Sequence, residues 1–272
     1  MNPITVFTKP WKCSIAEIGE KLAAFGVDGL ELPVRPGYPV TPENALVELP
    51  RAAKELERYG QWIYSVAATA DEEIVAACGA AGVPIIRVCE PVDLQIGYME
   101  SVRRIQERYE KLVPALERHG VKIGVQNHCN RFIGSAIGVM HLIERFDPAH
   151  VGAVLDVAHC GLSGEPEDMA LDIVWSHLCM VNFKSAFRMR TNGPEAEEAA
   201  WRIYWTTGPH GYVSWRKSIR LLQERGFSGP LCLTAEYSDP SARGDLTGDA
   251  VDRLVREDVA YLRSLLTPAD KN

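Results

Sequence analysis

Six short apolar runs in this sequence end in side chains of the kinds that do chemistry. Glu31 lies in GLEL, and Arg87 and Glu90 lie in IIRVCEP. Gln126, His128, Asn130 and Arg131 lie in VQNHCNR, Asp156 and His159 in VLDVAH, Asn182 and Lys184 in VNFKS, and Glu236 in LTAEYSD. If the runs are neighbouring strands, Gln126, Asp156, Asn182 and Glu236 point into one mouth. Two carboxylates buried together, Asp156 and Glu236, need a cation or strong hydrogen-bond donors, because an unpaired buried charge is costly. A divalent ion would satisfy both, with amide oxygens from Gln126 and Asn182 completing a shell of hard ligands. Glu236 is also placed to act as a base beside a carbonyl group, with the resulting oxyanion stabilised by a metal or by cationic side chains.

The neighbouring residues have a chemical and a plainer reading each. His159 suits a general acid or a contact to a substrate hydroxyl, since imidazole titrates near neutral pH, and it equally suits a satisfied structural histidine. His128 stands two residues beyond Gln126, so the pleat of a strand puts both on one face, and His128 could supply a nitrogen ligand. Lys184 and Arg131 suit an anionic or polyhydroxylated substrate, or pair with a nearby carboxylate. Glu31 is either a substrate ligand or a partner for backbone amides.

The elements that must position these groups announce themselves through a repeated junction. An amphipathic stretch ends in Gly, one to three residues follow, and a short apolar run begins: KLAAFGVDGLEL, ELERYGQWIYSVA, CGAAGVPIIRV, LERHGVKIGV and LQERGFSGPLCL. Glycine suits the residue after a helix because that position favours a left-handed backbone. Apolar strands alternating with helices imply parallel strands buried on both faces. Eight strands are predicted at 4–8, 28–33, 62–67, 84–89, 121–126, 151–156, 178–184 and 230–236. Ser14-x-x-Glu17 reads as a capping box, Thr41-Pro42 and Asp71 as helix starts, Pro166 as the opening of the sixth helix, and 250–266 as the last helix. Eight such units in 272 residues predict one (β/α)8 TIM barrel over 1–272, with its working face at the carboxyl ends of the strands. An open Rossmann-type sheet is the competitor, but no GxGxxG follows the first strand. Two connections exceed what packing requires, 33–42 and 185–212. The second holds Trp201, Tyr204, Trp205 and His210, and builds or covers a site, or forms a dimer contact.

The bulk properties exclude several classes. A net charge of −7 with no long Lys/Arg stripe argues against a nucleic-acid partner. No apolar stretch is long enough to span a membrane, and MNPITVFTKPW lacks the pattern of a secretory leader. Seven cysteines, odd in number and without CxxC, read as reduced thiols of a cytoplasmic protein.

The motifs GVDGLEL, HGVKIGVQNH, VGAVLDVAH, VNFK and GFSGPLCLTAE, spread over nearly the whole chain, resemble the xylose isomerase-like barrel superfamily. That group includes sugar phosphate isomerase/epimerases, hydroxypyruvate isomerases, inosose dehydratases and endonuclease IV. The resemblance implies a metal site of Glu, Asp, His and Glu at the ends of strands 5 to 8, and here those positions are Gln126, Asp156, Asn182 and Glu236. It implies manganese or magnesium, with zinc or cobalt as further candidates, and His159 as the histidine of strand 6. Catalytic roles then fall to Glu236, His159 and Lys184, and substrate contacts to Glu31, His128, Arg131, Trp205 and His210. Two ligands depart from the pattern. Gln126 and Asn182 remove one negative charge and one nitrogen ligand, which weakens a divalent ion, and Gln126 cannot accept a proton near neutral pH. A single base remains, enough for aldose–ketose isomerisation or loss of water but poorly suited to two-base epimerisation. The expected substrate is a small polyhydroxylated sugar, keto-sugar or hydroxy acid, and the resemblance implies a homo-oligomer, a dimer or tetramer. The competing reading is a binding or accessory barrel that has lost its metal. An endonuclease IV activity is disfavoured because IYSVAATA and IIRVCEP carry none of the histidines that a zinc cluster would need.

Overall fold

The computed structural model describes residues 2–241 and 244–267. Eight parallel strands close into a barrel: β1 (Ile4–Phe7), β2 (Gly29–Pro33), β3 (Trp62–Ala67), β4 (Ile85–Val88), β5 (Lys122–Gln126), β6 (Val151–Asp156), β7 (Leu178–Phe183) and β10 (Leu231–Leu233). The helices that return the chain are α1 (Ile15–Phe25), α2 (Ala45–Glu57), α3 (Glu72–Ala81), α4 (Tyr98–His119), α5 (Ala136–Ile143), α6 (Val157–Ser163), α7 (Glu167–Val174), α8 (Trp215–Glu224) and α9 (Asp252–Leu266). The predicted eight-stranded barrel is thus the observed one. Its five Gly junctions all take the left-handed backbone, with φ between 64° and 73° at Gly26, Gly60, Gly82, Gly120 and Gly226.

Local signals operate as their chemistry requires. The backbone N–H of Ser14 donates to the Glu17 carboxylate at 2.8 Å while the Ser14 hydroxyl accepts from the Glu17 N–H at 3.3 Å, closing the capping box. Asp71 accepts from the N–H of Ile74 at 2.8 Å at the start of α3. The strands bury both faces. Phe7, Ala67, Ile85, Val154, Met180 and Cys232 pack together inside the barrel beneath the cavity that Phe7 also borders, and a larger apolar layer lies between strands and helices. All seven cysteines are free thiols. No helix among the described residues is long and apolar enough to cross a membrane.

Three expectations need correction. The stretch 185–212 is no plain loop: Ser185–Arg190 (β8) and Trp201–Thr206 (β9) form an antiparallel hairpin, with Ser185 opposite Thr206 and Arg190 opposite Trp201. The alternation in SAFRMR and the aromatic and β-branched residues of WRIYWT favour pleated pairing. Pro166 opens α7 and not the first helix after strand 6, because α6 begins directly at Asp156. The last strand ends at Leu233 and not at 236, since Ala235 has φ 53° and turns the chain. Glu236 is therefore presented by a bend above the barrel.

Candidate active site

Asp156 closes β6 and caps α6 in the same step. Its Oδ1 accepts from the N–H groups of Ala158 at 3.1 Å and His159 at 3.2 Å, while Oδ2 accepts from Nε2 of Gln126 at 2.8 Å. The side chain is wholly buried. Burial, opposed by the Lys184 charge and the amides of the cap, pushes its pKa up to about 6. Gln126 ends β5 and accepts from Sγ of Cys89 at 3.4 Å through its own carbonyl oxygen. Asn182 stands beside Asp156 in the register of β6 and β7, and its Oδ1 is buried without a hydrogen-bond partner.

Glu236 is held between two ammonium groups, with Lys9 on Oε1 and Lys184 on Oε2. Burial alone would raise its carboxyl, but Lys184 and Lys9 outweigh that and hold it well below the usual carboxylate range. Lys184 is buried, which would lower its pKa, yet Glu236 and Asp156 raise it, so it stays an ammonium. Its Nζ lies 3.7 Å from the ring centroid of Trp205 on β9, a cation–π contact. Its backbone oxygen accepts from the indole of Trp215 at 3.2 Å. Lys9 comes from the turn after β1, where the Tyr38 hydroxyl donates to its carbonyl oxygen at 2.8 Å.

A cavity of about 260 Å3 opens at this point, and Gln126, His128, Asn182, Lys184 and Glu236 all border it. Gln126 and His128 do share one face. His128 donates through Nδ1–H to the Cys129 carbonyl oxygen, 2.9 Å away. Burial first, then the Lys184 charge, lowers its pKa, so it is neutral near pH 7. His159 packs beside it, with ring centroids 4.2 Å apart. Its Nδ1 accepts from the Cys129 N–H at 3.3 Å, and its Nε2 is buried, unpartnered and 3.8 Å from Asp156. Burial pushes the His159 pKa well below the ordinary value. Ligand atoms of His128, Cys129 and His159 lie within 4.8 Å of one another.

Several predicted site residues sit elsewhere. Asp156 does not border the cavity; Gln126, which does, covers its Oδ2. Glu31 is fully buried and faces neither the cavity nor backbone amides. Nε of Arg87 donates to its carboxylate at 3.1 Å and the Ser65 hydroxyl at 3.0 Å. Arg131 and His210 are exposed and outside the cavity lining, with His210 held by the Thr207 hydroxyl at 2.9 Å. Trp205 forms part of a roof over Lys184 and His159 (ring centroids 5.6 Å). The site also contains residues that the sequence reading passed over: Lys9, Arg35, Phe7 and Phe132. Lys9 directly follows β1, and Arg35 lies in the long 33–42 connection, so both carried a positional signal.

The roof is tied down by a second buried acid. Asp258 of α9 accepts from the Gly208 N–H and from the Tyr237 hydroxyl, each at 2.8 Å. Burial pushes its pKa up to about 7, against those two donors. Between the ordinary carboxylate range and about pH 7 the folded protein holds a proton that the unfolded chain has released. Stability therefore falls as pH rises through that window. Asp258→Asn should flatten this slope and be more stable than wild type at pH 8, by on the order of 2 kcal/mol. Thermal melts at pH 5 and 8 check it, and parallel slopes for the two proteins would contradict it.

Strands closed into a barrel, with polar groups gathered in a small cavity at their carboxyl ends, define an α/β barrel of the kind that carries its site on the strand-to-helix turns. The chain belongs to the xylose isomerase-like TIM barrel family, whose description matches residues 20–265. No curated protein is significantly similar to it in sequence. Among solved structures it resembles D-psicose 3-epimerase with D-tagatose from Clostridium cellulolyticum H10, with TM-score 0.73 and 15% identity over 97% of this chain and 99% of that one. The probable 3-DHS dehydratase involved in petrobactin synthesis from Bacillus anthracis gives TM-score 0.68 and 14% identity over 97% and 99%. A xylose isomerase-like TIM barrel protein from Mycobacterium smegmatis in complex with magnesium gives 0.70 and 16% over 98% and 97%. At these identities the likeness is one of fold.

Proposed function

We propose that this barrel is a sugar isomerase/epimerase-like enzyme that removes a proton next to the carbonyl of a small polyhydroxylated substrate. Glu236 is the base, and lysine ammonium groups supply the positive charge at the reacting oxygen. The observation that carries this reading is the Glu236 carboxylate held between Lys9 and Lys184 at the edge of the cavity.

The donors do not fit a divalent ion at the four family positions. Both oxygens of Glu236 already carry ammonium protons, and Gln126 turns its N–H2, not its oxygen, toward Asp156. Of the four, only the Asn182 oxygen is uncommitted. An ion there would lie beside the buried Lys184 ammonium, a like charge in a poorly solvated place. A glutamate at 126 would repel Asp156 unless a cation lay between them, whereas the amide of Gln126 satisfies Asp156 directly. Gln126 and the lysines are thus a consistent set in which protein donors take the place of an ion.

The chemistry follows from that arrangement. Lys9 has a side chain 41% exposed, against 5% for Lys184, so Lys9 is the partner free to turn toward an incoming carbonyl oxygen. Its departure makes Glu236 more basic. Glu236 then takes the proton from the adjacent carbon, the C–H electron pair forms the enediol C=C bond, and the carbonyl oxygen becomes an oxyanion beside Lys184 and Lys9. Passage of the hydroxyl proton from the deprotonated carbon's oxygen to the oxyanion, and return of the carbon proton from Glu236 to the former carbonyl carbon, complete an isomerisation. Loss of hydroxide from the β-carbon, protonated to water, completes a dehydration. His128 lines the cavity as a neutral imidazole able to relay a proton between oxygens. The unpartnered Asn182 Oδ1 is an acceptor for a substrate hydroxyl at the cavity wall, whereas His159, expected as a catalytic group, is buried behind His128 and does not border the cavity.

Proton exchange from keto-sugars and keto-acids in deuterated buffer tests the reading. Deuterium should enter the carbon next to the carbonyl of at least one of them. The rate should be unchanged after dialysis against a chelator and lost in Glu236→Gln. If no compound exchanges, the catalytic reading fails and a binding barrel remains. Exchange that stops on chelation and returns with manganese contradicts the lysine-based account.

A further inference from the structure

Four cations border the cavity, Lys9, Arg35, Arg87 and Lys184, against one carboxylate, Glu236. The others are accounted for. Arg87 is forked onto the buried Glu31, and both lysines bond Glu236. Asp156 lies beneath Gln126 and is felt by Lys184. Four positive groups are therefore set against three negative ones, and Arg35 is the group left over.

Arg35 sits in the turn after β2, where its backbone N–H donates to the Val40 oxygen at 3.1 Å and its oxygen accepts from the Tyr38 N–H at 3.2 Å. The main chain is thereby pinned while the guanidinium is half-buried at the cavity. Its central carbon lies 5.6 Å from the ring centroid of Phe7, whose ring also lies 4.7 Å from the corresponding carbon of Arg87. Arg35 has no carboxylate partner among the described residues. Burial and the neighbouring Arg87 work against its charge and outweigh the support it feels from Glu31, which is already bonded to Arg87. A partly desolvated guanidinium facing a like charge is costly unless an anion arrives.

We infer that Arg35 is the anchor for a carboxylate on the substrate, which makes the substrate a small hydroxy or keto acid and not a neutral sugar. One uncommitted cation matches a monoanion. A phosphate carries closer to two charges and would leave an uncompensated one in the cavity. The guanidinium fork fits the two oxygens of a carboxylate, and a cavity of about 260 Å3 suits a short carbon chain. Phe7 and Phe132 supply its apolar walls. With the carboxylate at Arg35, the rest of the chain lies in the same cavity as Lys184 and Glu236, and the proton removed is the one on the carbon that reaches Glu236. This substrate assignment rests on the proposed proton abstraction, but the binding site does not.

Calorimetric titration with D-glycerate, glycerol and inorganic phosphate separates the two. D-glycerate should bind about ten-fold or more tightly than glycerol, and more tightly than phosphate. Arg35→Gln should erase that preference, Arg35→Lys should keep part of it, and both should melt as the wild type does. Glu236→Asp should retain it, so a chain that binds glycerate and exchanges no proton would overturn the catalytic reading while leaving the anchor in place. Equal affinity for glycerate and glycerol, tighter binding of phosphate, or an Arg35→Gln protein that still prefers glycerate would each overturn the assignment.

Discussion

Glu236→Gln should lower turnover about a thousand-fold, within the range for loss of a positioned base. It should also lower stability, because the amide leaves the buried Lys184 ammonium without its main counter-charge. Breaking a buried pair by removing one partner costs about 3–5 kcal/mol. The two effects are separable. Glu236→Asp keeps the charge and withdraws the carboxylate by one methylene, so it should melt close to wild type while losing about a hundred-fold in rate. If Glu236→Gln retains wild-type exchange on a substrate that the wild type turns over, Glu236 is not the base.

Lys184→Met should be nearly as damaging for a different reason. It removes the ammonium beside the developing oxyanion, an effect worth about a hundred- to a thousand-fold in turnover. It also relieves Glu236 of one of the two charges that hold its pKa down, so the carboxyl titrates higher. In the wild type Lys184 and Lys9 hold Glu236 ionised well below the usual carboxylate range, so the acid limb of the rate profile should lie at low pH. In Lys184→Met that limb should move upward, while Trp205 loses its cation. A profile with an unmoved acid limb would show that Lys184 does not control the base. The same substitution leaves Lys9 on Glu236, so the protein should still fold.

The barrel was legible because its information is local and repeated. Each Gly junction fixes a helix end and the strand after it, and closing eight such units leaves little choice of architecture. The hairpin β8–β9 escaped because its long turn, 191–200, separates two short runs that individually resemble loop. Which polar groups share the mouth was partly legible. Gln126, His128, Asn182, Lys184 and Glu236 do border one cavity, as strand-end placement requires. What strand position could not carry was pairing. Glu31 looks as available as Glu236 in the sequence, yet Ser65 on the adjacent strand β3 and Arg87 on β4, one strand further round, consume it. Asp156 turns its oxygens to the start of α6 and to Gln126, a choice set by a helix beginning without a linker. Lys9 and Arg35 lie on turns, where side-chain direction follows from neighbours such as Tyr38 and not from a period.

Gln126 also changes meaning once its partner is known. Read as a weakened ligand, it speaks for a damaged metal site. Donating to Asp156 at 2.8 Å, it satisfies that carboxylate directly, and on the proposed reading Gln126 and Lys184 together stand in for an ion. The most direct measurement of this claim is a titration of manganese into the purified protein followed by electron paramagnetic resonance. The signal of free hexaaquo manganese should grow in proportion to the metal added, in wild type and in Glu236→Gln alike. A stoichiometric loss of that signal in the wild type, restored by Glu236→Gln, would place an ion on Glu236 and contradict the account.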